Sequence, residues 1–151
     1  MKKILILFCL TLLFSCKSKN AIVEKKLVVV NATEVDAAKK SRAHDLGERL
    51  LETCNTSRFK SFTSEEATEK VIQNATKERI SETCKKINMR NGKYISLNLI
   101  DIIHDETSDQ YIFRYNINYE KKYFKRELTV VVDSDNKVSA ISTKEVKPKP
   151  M

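Results

Sequence analysis

Glycine and proline are scarce: two of each occur in 151 residues. So few breakers exclude a loop-rich or low-complexity chain and point to regular elements joined by short connections. Cysteine is limited to four residues and histidine to two. No CxxC pair and no paired histidines occur, which argues against a zinc site, a thioredoxin-like redox role and any bound cofactor. There is no internal repeat. The net charge is +8, but no nucleic-acid-binding motif accompanies it, so the basic residues read as a solvated surface and nucleic acid is not an expected partner. With 41% hydrophobic and 32% charged residues, the chain can bury one core, and its length suits one domain.

What is present begins at the N-terminus. Met1–Cys16 reads MKKILILFCLTLLFSC. Lys2 and Lys3 form a positive start, and Ile4–Phe14 form an apolar run shorter than the roughly 20 residues a spanning helix needs. Leu13-Phe14-Ser15-Cys16 resembles a bacterial lipobox. The resemblance implies cleavage before Cys16, a thioether-linked diacylglyceryl group on its sulfur and acylation of the new N-terminus. Each buried methylene contributes about 0.8 kcal/mol, so several chains anchor durably. Residues 1–15 are then a leader and 16–33 a lipidated tether. Loss of the two leader lysines lowers the charge from +8 to +6. The expected location is a bacterial envelope, on the periplasmic side of the outer membrane, with the membrane as a partner through Cys16.

The organising stretch of the remainder is Asp109–Val132. Tyr111, Phe113, Tyr115, Ile117 and Tyr119 alternate with polar or smaller residues, and after a turn near 120–122 so do Phe124, Arg126, Leu128, Val130 and Val132. A period of two predicts an antiparallel hairpin with one dry face, which needs a cover to be stable. The cover is upstream. Val35, Ala38, Ala43, Leu46, Leu50 and Cys54 fall at helical spacing over 34–54, behind N-cap candidates Asn31 and Thr33. Gly47 on that helix is either a soft spot or a point of close packing. Thr63-Ser-Glu-Glu66 is a capping box that predicts a second helix from Ser64, broken near Asn74–Thr76. A third helix runs to about Met89, stopped by Asn91-Gly92. Leu27–Val30 could add an edge strand. In 93–104, Ile95, Leu97 and Leu99 alternate, then parity changes to Ile100 and Ile102, which predicts a bulge near 99–101 that keeps both halves facing the core. An Asp-rich turn at 133–137 leads to a last strand, Val138–Thr143, and a loose basic tail over 145–151.

Helix, short helix, helix, then four strands is an α+β order, with N-terminal helices packed on one face of the sheet. The NGKY turn into a long strand and the ending RELTVVVDSDNKVSAI make residues 34–144 resemble the NTF2-like, cystatin-like superfamily. That resemblance implies a curved four-stranded antiparallel sheet. It also implies two rival activities: a non-catalytic module for an envelope protein or a small apolar ligand, which is the favoured reading, or a cone-shaped isomerase or hydrolase acting on a small apolar substrate.

The candidate site residues follow. Cys54 and Cys84 lie on the apolar stripes of their helices, and an exported domain meets oxidising conditions, so they are either a disulfide or two packed thiols. The row Tyr111, Phe113, Tyr115 and Tyr119 either packs as core or lines a ligand pocket. Asp101 is the one carboxylate in an otherwise apolar strand and the sole candidate base. His44 and His104 read as solvated. Asn31, Asn55 and Asn74 begin glycosylation-type triplets and read as caps. Lys85, Lys86, Arg90, Lys93, Lys121, Lys122 and Lys125 could dock on an anionic polymer or lipid.

Overall fold

The computed structural model describes residues 26–147. The leader, the lipobox cysteine Cys16 and the end of the basic tail lie outside them. A short strand β1 (Leu27–Val30) comes first, then three helices, α1 (Ala37–Thr56), α2 (Glu69–Asn74) and α3 (Lys77–Asn91). Four strands follow: β2 (Tyr94–Asp105), β3 (Gln110–Tyr119), β4 (Lys125–Val132) and β5 (Val138–Val146).

The helix limits follow from where backbone groups find partners. α1 starts three residues later than the periodicity predicts, because the Asp36 carboxylate takes the free N–H groups, Ala38 at 2.6 Å and Lys39 at 3.4 Å. Asn31–Glu34 instead closes a turn, with Glu34 N–H donating to Asn31 O at 3.0 Å. α1 ends where Ser57 turns left-handed and its N–H donates to Thr53 O. The second helix is also delayed. Glu66 does reach back to the Thr63 N–H at 2.9 Å, but Ala67 is drawn into a parallel bridge with Val138, so α2 begins only at Glu69. The predicted break at Asn74–Thr76 separates α2 from α3, and Gly92, at φ 74°, stops α3 as the Asn-Gly pair predicts.

The expected sheet was four-stranded and curved, and this is corrected. The sheet is open and five-stranded, in the order β1-β2-β3-β4-β5, every neighbour antiparallel. The β-branched run of β1 pairs with the outer half of β2, Leu27 opposite Asp105 through Val30 opposite Ile102. Strand order equal to chain order puts β1 and β5 at opposite edges, so among the described residues no strand pairing closes the sheet into a cone. The α+β layering itself stands and is loosely consistent with an NTF2-like architecture.

The hairpin register is as the alternation predicts. Phe113, Leu128, Val130, Val132 and Val138 are fully buried beneath the helices. The predicted bulge between Leu99 and Asp101 is present, but a second irregularity between Tyr94 and Ser96 reverses the start of β2. Tyr94 is therefore buried and Ile95 is 61% exposed, against the expectation that Ile95 faces inward; Leu99 is paired with buried Tyr115 and so lies on the helix side as expected, though 43% exposed. Gly47 marks close packing. A Cβ there would lie 2.6 Å from Leu128 Cδ2, so α1 sits directly on β4. The Asn55 side chain clamps the end of α1 to β2, donating to Tyr94 O at 2.8 Å and accepting from Tyr94 N–H at 3.0 Å.

Candidate functional site

The aromatic row is core that surfaces at one end. Phe113, Tyr115 and Tyr119 are buried and Tyr111 half-buried. Burial raises the phenols of Tyr115 and Tyr119, the latter up to about 12. Tyr111 stacks on His104 with ring centres 4.4 Å apart, and Lys39 Nζ lies 5.7 Å from its ring. None of the four borders the clefts described below.

The isolated ionisable candidates do not converge. Asp101 forms a two-bond ion pair with the Arg114 guanidinium, one contact at 2.7 Å. That guanidinium holds the Asp101 carboxyl below its ordinary range. The pair lies in the rung between Leu99–Tyr115 and Ile102–Phe113, facing away from the helices. His44 stands 3.6 Å from Asp45 and 3.9 Å from Glu48 on an open helix face. His104 Nε2 meets Asp109 Oδ1 at 3.0 Å. Among the described residues, no group of three or more His, Cys, Asp or Glu is placed to hold a metal ion, and no helix is long and apolar enough to cross a membrane.

Cys54 and Cys84 are a disulfide joining α1 to α3, with Cα atoms 4.8 Å apart. The bridge forms part of the wall of a cleft of about 380 Å³. Leu50 and Leu51 of α1 border it beside the bridge, Val71 and Asn74 of α2 border one side, and Ile80, Thr83 and Ile87 of α3 the other. Residues 139–143 of β5 complete the wall. Helical spacing explains the α3 contribution: positions 80, 83, 84 and 87 share one face. Among the described residues, Lys70 is the one ionisable side chain in the lining, so the cleft is an apolar concavity with a cation at its rim. A smaller cleft of about 130 Å³ lies on the other side of the same bridge, near Phe59 and Lys85.

Outside the lining, Arg49 clamps Glu66 through two 2.8 Å bonds. The guanidinium draws the Glu66 carboxyl down to about 2. This pair fixes the 66–68 segment that bridges to β5. The seven basic residues singled out above are partly engaged: Arg90 reaches Glu145 at 3.2 Å, Lys86 reaches Glu82 at 2.7 Å, and Lys121 donates to Met89 O at 3.0 Å.

The cysteines were legible in the sequence, but the cleft was not. Its walls come from four separated segments with no common period. The one local sign is the small-residue run Ser139-Ala140-Ile141-Ser142-Thr143, too slight to cover an apolar surface by itself. No protein-family model, curated protein or solved structure matches the chain.

Proposed function

We propose that the chain is an envelope lipoprotein, held to a membrane through Cys16, whose domain binds an apolar group in the cleft between the helices and β5 and performs no chemistry on it. The observation that carries this reading is the cleft itself: about 380 Å³, apolar-walled, with Lys70 as the only titratable lining residue. Ligand pockets have this character, mostly apolar walls with few polar groups to orient the occupant. Acid–base work needs two or more groups within reach of one reacting atom, and Lys70 has no such companion in the lining. Anchoring is supported by the basic start, apolar run and Leu13–Cys16 motif, and the Cys54–Cys84 bridge suits an exported domain. The location that fits is the periplasmic side of the outer membrane.

Two measurements test this. The full chain with Cys16→Ser, made in the periplasm, is titrated with the amphipathic dye anilinonaphthalene sulfonate, whose rings fill apolar sites. A saturable site that Thr83→Trp abolishes is expected, and unsaturable or variant-insensitive binding overturns the cleft as the site. Labelled palmitate is expected on the wild-type chain and absent from Cys16→Ser; equal label on both overturns the anchor.

A further inference from the structure

The cleft does more than present apolar walls. Successive strand residues point to opposite faces of a sheet, so a concavity on one face meets every second residue. Yet Ser139, Ala140, Ile141, Ser142 and Thr143 all border this cleft. A cleft that meets five in a row touches the strand's backbone and not its side chains alone, and β5 is the edge strand of the sheet.

That edge is unpaired over most of its length. β4 holds one side of β5. On the other side Ala67 makes one parallel bridge to Val138, with Val138 N–H donating to Glu66 O at 2.9 Å and Thr68 N–H donating to Val138 O at 3.0 Å. Among the described residues, no other β5 backbone group bonds outside the β4 ladder. A sixth strand thus begins at Ala67 and stops after one rung, because α2 turns the chain away from Glu69 onward. At the far end Arg90 of α3 reaches across to Glu145 of β5 at 3.2 Å. Between these two closures lie Ala140–Thr143, with no charge and no proline. Natural edges usually carry blunting devices; here they stand at the two ends of the segment, the register irregularity beside Val138 and the charged Lys144–Glu145.

We infer that this edge receives an extended segment of a partner protein, which adds a strand to β5, drops an apolar side chain into the cleft and sets a carboxylate against Lys70. The inference rests on the cleft being the binding site proposed above. Added strands gain affinity from main-chain bonds and selectivity from a pocket that reads alternate side chains. The edge supplies the first and the α2–α3 wall the second. The carboxylate follows from charge: Lys70 is the lining's only ionisable group, and the chain as a whole is strongly basic. A second copy of β5 fits less well. Its residues 139–143 bring no carboxylate to Lys70 and only Ile141 as a large apolar side chain.

The test uses the full chain with Cys16→Ser and random peptides displayed on phage. Enriched peptides are expected to combine apolar residues with Asp or Glu. On binding, amide exchange at Ala140–Thr143 slows about tenfold or more, and Thr83→Trp and Lys70→Glu each weaken binding by about tenfold or more. Protection at other strands instead overturns the inference. So does a concentration-dependent dimer with the same protection, which gives the edge to a second copy. If no peptide is enriched while the dye still fills the cleft, strand addition falls and the cleft reading stands. If the folded protein binds neither, both fall.

Discussion

The two sides of the β4–β5 ladder are held by different means. Towards β3, the sheet is covered by α1 pressed so closely that Gly47 has no room for a Cβ, and Phe113, Leu128, Val130 and Val132 are sealed beneath it. At β5, the helices and the strand enclose a cleft between them. Contact there is replaced by a covalent bridge between α1 and α3 and by the Arg49–Glu66 ion pair. Close packing gains dispersion and excludes water but leaves nowhere for a ligand. A staple holds two helices in place without filling the space beside them, which is how a small domain keeps a cavity at tolerable cost to its stability.

Four changes sharpen or break that contrast, beginning with the most damaging. Tyr115→Asp puts a carboxylate without a partner into the packed side and is expected to unfold the domain, a loss of about 4 kcal/mol or more. Asn116→Asp, one residue on and exposed, is expected to stay within about 0.5 kcal/mol of wild type. Equal urea midpoints for the two would mean the sheet faces are misassigned. Replacing both Cys54 and Cys84 with Ala opens a loop of sequence separation 30 and is expected to cost about 3–4 kcal/mol by loop entropy. A loss under about 1 kcal/mol in the same titration would show that the stapled side is packed after all.

Acid should act on the open side next. Glu66 has its carboxyl drawn down to about 2 from 4.5 in the folded state by Arg49. A depressed pKa stabilises above the unfolded value, so the full contribution is present above about pH 5 and is lost as pH falls towards 2. Allowing for partial solvent screening, about 1–2 kcal/mol is expected to disappear over that window. Glu66→Gln should flatten the slope, and an unchanged slope in the variant would remove Glu66 from the account. Apart from the silent comparison Asn116→Asp, the smallest effect belongs to Gly47→Ala. Alanine favours a helix by about 1 kcal/mol, but a Cβ 2.6 Å from Leu128 Cδ2 forces a shift in a full core that costs about 1–3 kcal/mol. A net loss of about 1 kcal/mol is expected in thermal melts, and a gain would mean the packed side has slack.

Period-two and helical patterns were legible because they are local. Tyr111–Tyr119, the bulge at Leu99–Asp101 and the Gly92 stop were all visible as residue spacing. The cysteine pair was visible too, as two inward helix positions, with a disulfide and two packed thiols as the alternatives. Competing bonds hid the rest. Asp36 outbids Thr33 as a cap, Ala67 bridges to a strand more than sixty residues ahead of it, and Tyr94 is turned inward beneath Asn55, which exposes Ile95. The edge of β5 was invisible for a simpler reason: an unpaired backbone leaves no mark on side-chain pattern.

The agreement of sheet order with chain order also has a consequence in time. β2 to β5 each pair with a neighbour in sequence through a short turn, contacts whose loop closure costs little entropy and which form early. β1 alone among the strands must find a partner far down the chain; beside it the Lys26 N–H reaches Thr107 Oγ1 across 81 residues. It is therefore the last strand to dock and the first to fray. During synthesis the N-terminal end emerges before its partner strand exists, so β1 waits for nearly the whole domain to follow.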